Sequence, residues 1–252
     1  DALHAALERA IASTAFDFVY QPIVSARTGN VVGYEALCRP CDPVFPGPMA
    51  LIESAERCGC TAALGRALRQ KGVQALAQLP EGSLLFLNLH PRELEDPEFV
   101  AIESFVAQWA GQVVFEITEV GKISDFAQVS QVIARLRGCG FRVALDDLGA
   151  GYSGLNALAR LEPDIVKLDM RLVRELSRDR RARRLVKHIL EFARDEGMQV
   201  VAEGIETEQQ RRAVVELGCP LLQGYLFGKG EPLSVVLQGA KQPAARPVSA
   251  IA

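Results

Sequence analysis

Eight polar residues stand where apolar runs of the chain end: Glu35, Asn88, Glu116, Asp146, Asp147, Lys167, Glu203 and Gln223. Five of these eight are carboxylates. If they converge, crowding is the first problem, because two like charges about 4 Å apart repel by about 4 kcal/mol at an effective dielectric of about 20. Protonation, salt bridges to arginine or bound divalent cations would each relieve it. A set rich in carboxylate with one amide oxygen matches hard ions such as Mg2+ or Mn2+. His90 is the one histidine near any of these run ends, so a zinc triad or a Ser-His-Asp arrangement lacks parts. The residue types point to oxygen-ligated metal chemistry.

Whether they converge depends on the elements that carry them. Runs of strand length cover residues 16–23, 31–38, 83–89, 112–118, 141–147, 164–169, 198–203 and 221–227, and most are separated by segments with apolar residues three and four apart. Helical spacing covers 48–57, 62–79, 125–138, 171–194 and 206–217, with a further helix over 3–13. This rhythm predicts parallel βα units. The first two strands are joined only by a short turn through Thr28, Gly29 and Asn30, too little chain for a parallel crossover, so they are expected to pair antiparallel. The expected fold is an α/β, TIM-like (β/α)8 barrel with an antiparallel first strand; an open doubly wound sheet is the alternative.

Side chains alternate faces along a strand, so Leu84, Phe86 and Asn88 share one face, as do Val114 and Glu116, Ile165 and Lys167, and Val201 and Glu203. Each strand is apolar first and polar at its C-terminal end. A barrel gathers those ends at one mouth, where such folds place their active sites. An isolated acid at a strand end equally reads as a helix cap or a solvated loop group. Convergence on one rim is what sets these apart.

Of the 252 residues, 49% are hydrophobic and 23% charged, ordinary globular usage that excludes a disordered or fibrous chain. The net charge of -3 offers no basic field for a nucleic acid backbone. No DNA or RNA partner is expected. No run is long enough to span a bilayer and no secretory signal opens the chain, so no membrane contact by this domain and a cytoplasmic location are expected. The start at Asp1 and the Pro/Ala-rich end read as a piece of a longer polypeptide. Residues 1–14 are expected to be a helix or linker from an upstream domain, 15–240 the functional domain, and 241–252 a flexible tail.

The motifs resemble, in order, those of the EAL-domain family of cyclic di-GMP phosphodiesterases. Glu35-Ala36-Leu37-Cys38-Arg39 is an intact EAL-x-R signature, preceded by Tyr20-Gln21-Pro22-Ile23. It is followed by Asn88-Leu89, Phe115-Glu116-Ile117-Thr118-Glu119, Asp146-Asp147-Leu148-Gly149, Val166-Lys167-Leu168-Asp169, Ala202-Glu203-Gly204-Ile205-Glu206 and Gln223-Gly224-Tyr225. The resemblance implies a bacterial signalling enzyme that linearises cyclic di-GMP to pGpG with two divalent cations, Mg2+ or Mn2+. By the same resemblance Glu35, Asn88, Glu116 and Asp146 correspond to the ligands of one ion, and Asp146, Asp147 and Glu203 to those of the second. Lys167 corresponds to the lysine that orients or deprotonates the attacking water, and Gln223 to the glutamine of the water and metal network. Gln21, Leu37, Arg39 and Glu206 correspond to substrate-binding positions. Glu119 corresponds to a glutamate that stabilises the loop over 148–155, which in the family links metal binding to dimerisation. A homodimer and an upstream sensory or regulatory domain are implied partners. Leu148, Ala150 and Gly154 stand where Phe, Thr and Ser are common, His90 replaces a frequent Ser, and Pro40 a Trp.

Two other patterns compete for attention. Cys38, Cys41, Cys58 and Cys60 superficially match a four-thiolate zinc site, but Cys38 lies within the signature strand, and buried or incidental thiols fit better. The basic cluster over 178–184 reads as the solvated face of a helix. Two functional classes survive: a metal-dependent hydrolase, which the intact acids favour, and a receptor that binds cyclic di-GMP without cleaving it. An unrelated metal-assisted aldolase or lyase would share the acidic rim but has no reason to carry this motif series.

Overall fold

The computed structural model describes residues 2–95, 99, 103–118, 123–149 and 153–240. Glu119 and residues 150–152 of the loop after Asp147 lie outside that set. The chain opens with α1 (Ala2–Ser13) and a hairpin of β1 (Phe16–Ser25) and β2 (Val31–Pro40), paired antiparallel with Tyr20 opposite Ala36 and Gln21 opposite Glu35. Then come α2 (Pro48–Cys58), α3 (Thr61–Gly72) and β3 (Leu84–Leu89), followed by the short α4 (Pro91–Leu94). β4 (Val113–Ile117), α5 (Phe126–Gly138), β5 (Arg142–Leu148), α6 (Ser153–Leu161) and β6 (Ile165–Leu168) continue the alternation. The chain ends with α7 (Met170–Glu175), α8 (Arg180–Asp195), β7 (Gln199–Ala202), α9 (Glu208–Glu216), β8 (Leu221–Gln223), the two-residue β9 (Glu231–Pro232) and α10 (Leu233–Ala240).

β2 to β8 pair in parallel, each with the next. β1 closes the barrel, antiparallel to both β2 and β8, with Ile23 opposite Gln223, and β9 adds to it at Val19 and Tyr20. The hairpin expected from its short turn is therefore the reversed strand of an eight-stranded TIM-like barrel. No described helix is long and apolar enough to cross a membrane.

The barrel interior is filled by Ile23, Phe86, Val114, Ala144, Ile165, Val201 and Leu221, a buried apolar layer of one residue from each of seven strands. Outward-facing neighbours such as Leu85, Phe115, Val143, Val166 and Val200 pack against Val129, Ile133, Val186 and Ile189 of the surrounding helices. A second cluster joins Ala6, Leu7 and Ala10 of α1 to Phe16, Phe45, Leu51 and Leu64, so α1 buries its apolar face on the flank of the hairpin.

Several helices differ from the sequence expectation, and each difference has a local cause. The helix expected over 62–79 ends at Gly72 and tightens into a 3-10 segment, Val73–Ala77, a common way for a helix terminus to satisfy its last carbonyls. The helix expected over 171–194 is two helices. Asp179 takes an extended conformation, and its carboxylate accepts from the Arg181 amide at 2.7 Å, starting α8 afresh. The strand expected over 221–227 stops at Gln223. There Gly224 has φ 153°, and a Cβ would stand 2.2 Å from the Ile205 carbonyl oxygen, so the chain turns where only glycine fits.

Candidate active site

The interior apolar layer sets the site. Two residues beyond Phe86, Val114, Ala144, Ile165, Val201 and Leu221, and hence on the same face of each strand, stand Asn88, Glu116, Asp146, Lys167, Glu203 and Gln223. Glu35 joins them from β2. Register confirms the layering, with Asn88 opposite Glu116 and Gln21 opposite Glu35.

Lys167 is the hub. Its Nζ lies 2.6 Å from Glu203 Oε1, 3.2 Å from Glu35 Oε2 and 3.5 Å from Asp146 Oδ1, and it also contacts Glu116 Oε1. The Gln223 amide donates to Glu35 Oε2 at 2.6 Å and to Gln21 Oε1 at 3.3 Å. Asn88 also hydrogen-bonds Glu35. Lys167, Glu116, Glu35 and Gln223 are buried, whereas Asn88 and Asp147 face solvent. Asp146, Asp147 and Glu203 each offer an oxygen, and these atoms all lie within 4.8 Å of one another. Asp147 has φ 55°, a left-handed conformation that Asp tolerates better than most residues.

The crowding foreseen from sequence is relieved here by a lysine and by protonation; no arginine contributes to it among the described residues. Burial alone pushes the Lys167 ammonium toward neutrality, but Asp146, Glu116, Glu203 and Glu35 outweigh it and hold its pKa well above the ordinary value. Burial pushes the Glu35 carboxyl up, yet Lys167 and hydrogen bonds from Gln223 and Asn88 prevail and lower it. Glu116 goes the other way. Burial and the charges of Glu35, Asp146 and Glu203 raise it well above the carboxylate range despite Lys167. Burial, then Asp146 and Glu35, raises Glu203 to about 8 against the pull of Lys167. Asp147, though accessible on one side, is raised to about 6 by desolvation, Asp146 and Asp169.

A site in which burial and crowding raise Glu116 and Glu203 well above the ordinary carboxylate range in the absence of ions is built for more positive charge than one lysine brings. Neither oxygen of buried Glu116 accepts a hydrogen bond among the described residues, although Lys167 presses on one of them. Such orphaned acceptors need a partner, and every candidate donor atom is a carboxylate or amide oxygen. The residues fit an oxygen-loving divalent cation.

The structure also places the remaining sequence candidates. Arg39 is exposed, and among the described residues its Nη1 is bonded to its neighbour's carbonyl, Cys38 O, at 2.8 Å. With Leu37 it lines a cavity of about 380 Å3 that opens beside Glu35, Asn88 and Asp147. Gln21 reaches Gly228 O as well as Gln223. Glu206 is engaged elsewhere, by Arg174 at 3.0 Å. Asp169 was not singled out as a site residue from sequence. It is buried, caps α7 through the Arg171 amide and hydrogen-bonds Asp147; its place two residues after Lys167 on one strand face was the available signal. The six cysteines are free, and Cys38, Cys41, Cys58 and Cys60 form no metal-holding group among the described residues. Cys58 and Cys60 pack against the α1 to α3 cluster instead.

A family model for the EAL domain matches residues 4–230. The cyclic di-GMP phosphodiesterase RocR of Pseudomonas aeruginosa is 33% identical over 227 residues, covering 86% of this chain and 58% of RocR. An uncharacterized protein of Azorhizobium caulinodans is 33% identical over 236 residues, 87% of this chain and 32% of that protein. The chain thus spans from 32% to 58% of the length of these curated relatives. Among solved structures, Klebsiella pneumoniae BlrP1 in a manganese and cyclic di-GMP complex matches with a TM-score of 0.76 at 32% identity, over 87% of this chain and 57% of that one. With a family match running from α1 to the segment before β9, and with the signature acids gathered at one barrel mouth, this chain belongs to the EAL domain family.

Proposed function

We propose that this chain hydrolyses cyclic di-GMP to linear pGpG. One observation carries the reading: the acids, amides and lysine that end separate strands meet around Lys167 at one rim. A water oxygen forms a bond to one phosphorus, the ribose 3′-oxygen leaves, and the proton released by the water is returned to that oxygen. When bound, two divalent ions, Mg2+ or Mn2+, supply Lewis acidity that lowers the pKa of the attacking water and offsets charge on the phosphodiester.

Glu35, Asn88, Glu116 and Asp146 would hold one ion and Asp146, Asp147 and Glu203 the other, with Asp146 shared. Lys167 would orient the water, and with cations sharing its carboxylate partners its ammonium would lose part of the negative field that now holds its proton. Gln223 holds Glu35 in place through its amide. Arg39 presents a planar fork of donors to a phosphate of the substrate, with Gln21, Leu37 and Glu206 as further substrate contacts. For Glu206 this requires release from Arg174. Glu119 is assigned to stabilising the loop after Asp147. In the full protein we assign residues 15–240 to the catalytic domain of a homodimer regulated by an upstream domain.

The deciding experiment is incubation with cyclic di-GMP and Mg2+ or Mn2+, with and without chelator, followed by chromatography of the products. Linear pGpG that appears only without chelator supports the reading. Binding of the cyclic dinucleotide with no linear product would make this a receptor.

A further inference from the structure

A buried ion pair that none of these roles uses lies behind the rim. Arg69 on α3 and Glu93 on α4 are 2% and 3% exposed and meet as a fork, Nη1 donating to Oε1 at 3.2 Å and Nη2 to Oε2 at 2.8 Å. The guanidinium also lies over the Phe99 ring, 5.2 Å from its centroid. The carrying helix comes so close that a Cβ at residue 65 would stand 2.2 Å from Glu93 Oε2. Gly65 is thus the space in which the carboxylate sits.

Burying two charges costs several kcal/mol per ion, and apolar residues of similar volume often serve stability as well or better. What the fork adds is direction. Glu93 hands that direction on: its Oε1 accepts from the His90 amide at 3.1 Å, closing the capping box that starts α4. His90 Nε2 in turn meets Glu56 Oε1 of α2 at 2.8 Å. His90 lies two residues past Asn88. On this flank the end of β3 faces the cavity of about 380 Å3, lined across from it by Met49, Ile52 and Leu68. Leu89 is buried and paired with Ile117 of β4, but the exposed Asn88 has no such cover, and the polar contacts of His90 and Glu93 anchor the backbone just beyond it.

We propose that Arg69 is a positioning residue: through Glu93 and the α4 cap it fixes the end of β3, and so the Asn88 carboxamide at the rim. The inference rests on the proposed function, in which Asn88 is a metal ligand.

The test is Mn2+ binding to the whole chain without substrate, read by calorimetry or electron paramagnetic resonance, alongside thermal unfolding. Arg69→Met/Glu93→Leu removes both charges together, so neither is left buried alone, and it also takes the acceptor from the His90 amide. It is expected to unfold near the parent temperature yet bind Mn2+ about tenfold to a hundredfold more weakly, the usual loss for groups that orient a ligand. Arg69→Lys, which keeps the charge and loses the fork, should lie between. In an Asn88→Ala background the pair replacement should cost no further affinity, because the two changes act through one ligand. Parental affinity in the pair replacement, or an equal loss with and without Asn88, would overturn the proposal. If the pair replacement does not fold, Arg69→Lys decides: weakened binding supports the proposal and parental affinity overturns it. A parent chain that fails to bind Mn2+ takes down the metal reading and this inference together, whereas a binding parent with indifferent variants takes down this inference alone.

Discussion

The Lys167 ammonium stands 2.6 Å from a carboxylate oxygen of Glu203, and the two groups come from neighbouring strands whose register sets Lys167 opposite Val201. The offset of two residues puts both side chains on the interior face, one above the other. Glu35, Glu116 and Asp146 complete the ring around the same nitrogen. Without ions, Lys167 is the countercharge of the site; in the proposed reaction it would handle the water.

Replacing Lys167 should therefore separate chemistry from binding. Lys167→Ala is expected to lower kcat by roughly 10²- to 10⁴-fold, the range for a positioned proton-transfer group. KM should move by less than about tenfold, or 1.4 kcal/mol. Steady-state kinetics at saturating Mn2+ checks this. A kcat within a factor of about two of the parent would remove Lys167 from the chemistry.

Adding a divalent cation should stabilise the parent. At about 100 times the dissociation constant, binding to the folded state alone contributes about 2.7 kcal/mol. The unfolding temperature should rise with Mn2+ and return with chelator. Asp146→Ala, which deletes the ligand proposed to be shared, should abolish both the rise and the turnover, and Glu35→Ala should abolish turnover. If Glu35→Ala linearises cyclic di-GMP at the parental rate, the site is misassigned.

The pH dependence of the chelated protein has a definite sign. Glu203 is raised from 4.5 to about 8, chiefly by burial, and Glu116 is also raised well above 4.5 by burial and its acidic neighbours. Between those values the folded state holds protons that the unfolded chain has released. Stability is thus fully present below about pH 4.5 and is lost as pH rises toward 8, by up to about 1.4 kcal/mol per pH unit for each proton. Glu35, lowered by Lys167 and Gln223, adds the opposite trend only below its ordinary value. Unfolding temperatures with chelator should fall from pH 5 to pH 8, and saturating Mn2+ should remove that fall. A chelated protein more stable at pH 8 than at pH 5 would contradict the protonated-acid picture.

The rim was legible because it obeys a local rule. Apolar residues at Phe86, Val114, Ile165 and Val201, each followed two positions later by a polar one, mark strand, face and mouth at once. The reversed β1 was legible from a turn too short for a crossover. Features made by distant residues were not. Arg69 and Glu93 are 24 positions apart, and an arginine on an amphipathic helix reads as exposed until another helix covers it. The break before α8 hung on whether Asp179 caps or continues a helix, which depends on packing that composition does not record. Lys167 as the countercharge also went unforeseen; its four partners lie on four other strands or strand ends, and only the closed barrel brings them together.

Arg39 provides a test of substrate recognition that leaves the cations alone. Its guanidinium is exposed and bonded only to the adjacent carbonyl, and it contacts none of the rim carboxylates among the described interactions. Its fork of donors is free to meet a phosphate, where charge-assisted hydrogen bonds contribute about 1.5 to 3 kcal/mol. Arg39→Ala should therefore raise KM for cyclic di-GMP by roughly tenfold to a hundredfold, with Mn2+ affinity and unfolding temperature at parental values. Arg39→Lys should recover only part of the loss, since a point charge cannot reproduce a planar fork. Parallel measurement of KM and of Mn2+ binding separates the outcomes. A change in Mn2+ affinity would place Arg39 among the groups that shape the metal rim, and an unchanged KM would show that the substrate phosphates lie elsewhere.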